Sequence, residues 1–117
     1  MSFINAFNKQ LLNLLSELSK LYPSNLNLKS LKNSLFLLIK TTPNKAINIY
    51  YESVYIYKDK IMNENEEFFL CFDLKGTLIE EFEYIKKVWE TSSENNKKTI
   101  WTYFKVFNKL VEKHFKL

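Results

Sequence analysis

The sequence predicts an all-α fold, a bundle of about five helices joined by short loops. Three observations predict it. Chain breakers are scarce, with one Gly and two Pro in 117 residues, so helices run long and turns stay short. Apolar residues recur at spacings of three and four rather than alternating. Residue types that start and stop helices stand at the ends of these stretches. The length fits a single helical domain over residues 1–117.

The spacing predicts a first helix from about Phe3 to Tyr22, with Ile4, Phe7, Leu11, Leu14, Leu18 and Leu21 on one stripe. Pro23 stops it, because proline disfavours the helical conformation at the residue before it. A second helix is expected from Leu26 to Thr41, capped by Ser24 or Asn25. Leu28, Leu31, Leu35, Leu38 and Ile39 line one face, while Lys29, Lys32, Asn33 and Lys40 point away. Thr42-Pro43 reads as a cap residue followed by proline at the first helical position, opening a third helix that runs to about Met62. Its stretch Ile49 to Tyr57 is rich in β-branched and aromatic residues that also suit a strand. The start signal and the run length favour the helix.

After a polar, acidic break at Asn63 to Glu67, the apolar run Phe68 to Phe72 is too short to assign by period. Residues 66–73 form either a buried strand or a helical turn. Gly76 supplies a turn, and Thr77 with Glu80 is a capping-box pattern that opens a helix to about Glu90. The last helix starts near Ser92 or Ser93 and runs toward the C-terminus. The expected core is Phe7, Leu11, Leu14, Leu18, Leu31, Leu35, Leu38, Val54, Phe82, Ile85, Trp89, Ile100, Trp101, Phe104, Phe107 and Val111.

Charge is placed in blocks. Residues 1–62 carry +5, residues 63–94 carry −6 and residues 95–117 carry +5, for a net charge of +4. All 17 basic residues are lysines. Arginine is the usual bidentate reader of guanine and phosphate, so its absence argues against a sequence-specific DNA reader. No apolar run approaches the ~20 residues that span a bilayer, so no membrane partner is expected. Met1 to Asn8 lacks the pattern of a signal peptide, and a cytosolic-type environment is the default.

Catalytic chemistry has little to stand on. One cysteine, Cys71, and one histidine, His114, build neither a disulfide nor a zinc site, and no nucleophile with a base is recognisable. Asp59, Glu64, Glu66, Glu67 and Asp73 lack the alternating ligands and central glycine of a calcium loop. Phe72-Asp73-Leu74-Lys75-Gly76-Thr77-Leu78 is similar to the first motif of the haloacid dehalogenase-like phosphatases, Phe-Asp-Leu-Asp-Gly-Thr-Leu. Lys75 stands where that family has its acid/base Asp, and helices follow where a parallel sheet is required. The expectation is therefore a non-enzymatic chain with no catalytic residue, cofactor or metal.

Binding remains. Tyrosine and phenylalanine are favoured at protein interfaces, and Tyr50, Tyr57, Phe68, Phe69 and Tyr103 are the exposed candidates. The leading expectation is a protein-interaction or structural component, through a protein partner or self-association. The alternative is sequence-independent nucleic-acid binding by lysine–phosphate contacts, with Lys98, Lys105, Lys109 and Lys116 on one polar face of the last helix.

Three stretches bear on origin: Phe3-Ile4 through Phe7-Asn8-Lys9-Gln10-Leu11-Leu12, then Glu66-Glu67-Phe68-Phe69-Leu70, then Trp89 with Asn96 to Phe104. The pattern resembles an uncharacterised family of short proteins from nucleocytoplasmic large DNA viruses of algae and amoebae. The resemblance implies a viral origin, and a location in the virion or in the cytoplasm of the infected host cell. It carries no catalytic residues.

Overall fold

The computed structural model describes residues 2–68 and 83–117, with side chains from residue 87 onward in the second stretch. Phe69, Cys71, the phosphatase-like motif, Phe82, the side chain of Ile85 and the Thr77 capping box lie outside these described residues. Helix α1 spans Phe3–Leu21. Ser2 caps it, its hydroxyl accepting the Asn5 N–H at 3.2 Å, and it ends ahead of Pro23 as its sequence requires. Helix α2 spans Leu26–Thr41, and Asn25 Oδ1 accepts the N–H groups of Asn27 and Leu28 at 3.1 and 3.3 Å. Two of the orphan donors of that first turn are thereby satisfied.

The third segment departs from expectation at both ends of its argument. Thr42-Pro43 does not open a helix. Thr42 closes α2, and the Lys45 N–H donates back to Thr42 O at 3.1 Å. Pro43 and Asn44 form the turn between, with Asn44 at φ −90°, ψ −1°. These are the dihedrals of a type I turn with proline at its favoured second position. Helix α3 then runs only from Lys45 to Ser53, followed by a 3-10 turn over Tyr55–Tyr57 and by α4 over Lys58–Met62. Val54, Tyr55, Ile56 and Tyr57 are poor helix formers in succession. Val54 and Tyr55 are both buried.

Helix α4 closes in a Schellman motif. The Asn65 N–H donates to Lys60 O at 2.8 Å and the Glu64 N–H to Ile61 O at 3.0 Å. Glu64 occupies the left-handed position, at φ 51°, which glycine fills at least cost. Helices α5 (Glu83–Thr91) and α6 (Glu94–Phe115) complete the described chain. Among the described residues there are six α-helices and no strand; the fold is all-α. Ser93 caps α6, accepting the Asn96 N–H at 3.3 Å. Ser93→Ala is expected to cost about 1 kcal/mol, the usual worth of such a cap. Urea denaturation measures it, and an unchanged midpoint would show that water replaces the hydroxyl.

Helix α1 is central, packing on α2, α3 and α6. Its direction relative to α6 follows from three pairings. Phe7 meets Phe107 with ring centroids 5.1 Å apart, Glu17 neighbours the Tyr103 hydroxyl, and Tyr22 OH accepts from Asn96 Nδ2 at 3.3 Å. Rising numbers on α1 meet falling numbers on α6, so the two run antiparallel. Every expected core residue with a described side chain is buried except Leu38, which is half-buried.

Candidate interaction surfaces

Two of the five aromatic candidates for an exposed interface are core residues. Tyr50 is 7% exposed. It lies on the same face of α3 as Ile47, and its ring meets Phe7 and Phe107 edge-on at 5.4 and 5.6 Å. Its hydroxyl donates to Asn108 Oδ1 at 2.7 Å, so the polar tip that argued for the surface is satisfied inside. Burial holds the Tyr50 phenol well above the usual tyrosine range. Phe68 is fully buried, edge-on to Phe104 at 5.4 Å and near Trp101 at 6.3 Å. Tyr57 is half-buried against Phe68. Tyr103 is half-buried beside Phe107, its phenol raised by burial and by Glu17. Phe69 lies outside the described residues.

The lysine face of α6 is real but partly neutralised. Lys98, Lys109, Lys113 and Lys116 are exposed. Lys105 donates to Glu64 Oε2 at 2.7 Å, and Lys97 to Glu66 Oε1 at 2.9 Å. Lys60 on α4 pairs with Glu67 at 3.1 Å. The acidic turn thus folds back over the first half of α6. Lys97 also sits 5.1 Å over the Trp89 ring. These carboxylates are committed to lysines, and among the described residues no group of three His, Cys, Asp or Glu side chains is placed to hold a metal ion. His114 lies edge-on to Phe115 at 4.7 Å.

The hydrogen bond from Lys105 holds the Glu64 carboxyl below its ordinary pKa of 4.5, and that from Lys97 does the same for Glu66. A depressed folded pKa contributes stability that is present above the unfolded value and lost as pH falls through the folded one. The denaturation midpoint is therefore expected to fall as pH drops through and below the ordinary carboxylate range, and less steeply in Glu64→Gln/Glu66→Gln. Glu66 is exposed and Glu64 half-exposed, so high salt should shrink the difference. Identical pH profiles for the two proteins would refute the assignment.

The surface that aromatic reasoning missed is the outer face of α2. Leu26 is 73%, Leu37 63% and Phe36 47% exposed. The run Leu35 to Leu38 carried the signal, since four consecutive apolar residues spread over the whole circumference of a helix. Leu35 takes the core side, leaving Phe36 and Leu37 outside. Leu26 and Leu37 are three helical turns apart on one stripe, about 16 Å along the axis. Lys29 and Lys40 flank them, with Lys40 Nζ 4.7 Å over the Phe36 ring. Beside Leu26, the turn from Leu21 to Asn27 lines an open groove of about 700 Å³. Among the described residues, no helix is long and apolar enough to cross a membrane.

Set against protein-family models, curated proteins and solved structures, the chain matches none.

Proposed function

We propose that this chain is a non-enzymatic protein-interaction component that docks through the outer face of α2. One observation carries the reading: three large apolar side chains, Leu26, Phe36 and Leu37, project from a single helix into solvent. Scattered exposed apolar residues are ordinary. Three on one helical face, framed by lysines and bordered by a groove, have the anatomy of a small apolar centre with a polar rim. The carboxylates most suggestive of chemistry, on the acidic turn, are engaged by lysines, which supports a binding role over a catalytic one. The resemblance of the three sequence stretches supports reading it as a component of a virion or of the cytoplasm of an infected host cell.

A photo-crosslinking residue at position 37 tests the reading in infected-cell or virion extract, with position 113 on α6 as control. Defined adducts from position 37 alone are expected, either with one partner protein or with a second copy of the chain. No adduct from position 37, or the same adducts from both positions, would remove α2 as the docking face.

A second reading has its own observation, the exposed Lys98, Lys109, Lys113 and Lys116 on α6. It is lysine–phosphate binding of nucleic acid without sequence preference. Duplex binding would then fall with salt at a log–log slope of about −0.9 per phosphate contacted. Lys109→Glu/Lys116→Glu would abolish it, while Leu26→Ser/Leu37→Ser would not.

A further inference from the structure

We infer that the partner of the α2 face is an acidic amphipathic helix; this rests on the docking reading above and names the chemistry of what docks. From Leu18 to Tyr51 the chain contains five lysines and no Asp or Glu. This stretch spans the end of α1, all of α2 and most of α3. The α2 face therefore offers apolar side chains on a helix with lysines and no carboxylate of its own, Lys29 and Lys40 both exposed along one side of the Leu26–Leu37 stripe.

Charge decides among the occupants. In a second copy docked antiparallel by a two-fold axis, Lys29 of each chain would meet Lys40 of the other. A carboxylate-bearing partner instead gains from each lysine. The spacing favours a helix as its form. Leu26 and Leu37 lie three turns apart, so a helix laid alongside can place apolar residues against both and glutamates against Lys29 and Lys40. A lipid surface fits less well. Ser30 and Asn33 lie on the stripe between the two leucines, and both are exposed. Polar groups in that position are costly against acyl chains but ordinary in a wet protein interface.

The test is fluorescence anisotropy with the full chain and three probes. The first is a labelled designed helix of about three heptads, with Leu at the a and d positions and Glu beside them. The second replaces each Glu by Lys. The third is a suspension of phosphatidylglycerol vesicles. The acidic helix should bind and the lysine helix should not. Lys29→Glu/Lys40→Glu should weaken binding by about tenfold or more, and Leu26→Ser/Leu37→Ser by a similar factor. The four substituted side chains of α2 are all exposed, and circular dichroism checks that helicity is kept. Lys109→Glu/Lys116→Glu makes the same charge change on α6 and should leave binding unaltered.

No binding of the acidic helix at low salt overturns the inference, as does an equal loss in the α6 control, which would mark nonspecific attraction. Vesicle binding that Leu26→Ser/Leu37→Ser removes, without helix binding, assigns the face to lipid instead. Self-association that the same leucine variant disperses keeps the docking face and rejects the acidic partner. Failure of the docking reading itself shows separately, as the lack of any position-37 adduct.

Discussion

Replacing Phe107 by Ala is expected to cost about 3–5 kcal/mol, the range for a fully buried phenylalanine. Phe107 is 1% exposed and lies where three helices meet. Its ring contacts Phe7 of α1 at 5.1 Å, Tyr50 of α3 at 5.6 Å and Phe104 of α6 at 5.8 Å. Truncation removes the transfer free energy of the ring and leaves a cavity among aromatic neighbours that cannot collapse freely. A domain of this kind holds about 5–15 kcal/mol in total, so the variant should lose about a fifth or more of its stability. Val106, its neighbour in sequence, is 37% exposed, and Val106→Ala should stay within about 0.5 kcal/mol of the parent. Urea denaturation followed by helical ellipticity measures both. A cost below about 1 kcal/mol for Phe107→Ala would mean that the three helices are not held by this cluster.

That cluster also shows how far the sequence can be read. The stripes of α1 and α6 were legible because Phe7, Leu11, Leu14 and Leu18, and Ile100, Phe104, Phe107 and Val111, keep strict helical spacing. The ends of α2 were legible because Asn25 caps it and Pro43 follows it. The break in α3 was not: Val54, Tyr55, Ile56 and Tyr57 are poor helix formers, but such runs also occur inside helices when tertiary packing holds them. At the break the Tyr55 hydroxyl donates to Glu112 Oε2 at 2.8 Å, 57 residues away in sequence. Tyr50 was misplaced for the same reason. A tyrosine is amphipathic, and whether its hydroxyl meets water or a buried partner depends on a contact across the fold. The α2 face needed no tertiary information. The helical spacing that turns Lys29 and Lys40 outward turns Phe36 and Leu37 outward as well.

Tyr50→Phe is expected to cost about 1–3 kcal/mol, although it removes a single oxygen from the core. The reason is what that oxygen leaves behind. Asn108 is 3% exposed, and its Nδ2 has no hydrogen-bond partner among the described residues. Its Oδ1 accepts from Tyr50 at 2.7 Å, so losing the phenol leaves the amide unpaired in a buried site. If that is the origin of the cost, removing the amide as well should recover part of it. Tyr50→Phe/Asn108→Leu is expected to be more stable than Tyr50→Phe alone, because an apolar pair of similar shape carries no unsatisfied polar group. Additive losses in the double variant would instead mean that Asn108 contributes independently of Tyr50. The same bond has a pH signature. A phenol whose folded pKa is raised above the unfolded value of 10.0 contributes stability that is full below the unfolded value and is lost as pH rises through the folded one. Tyr55, pushed up to about 12 by burial and by Glu112, adds to that alkaline loss. Tyr50→Phe should therefore unfold less steeply than the parent above about pH 10, and a parent whose stability is flat there would contradict the buried phenol.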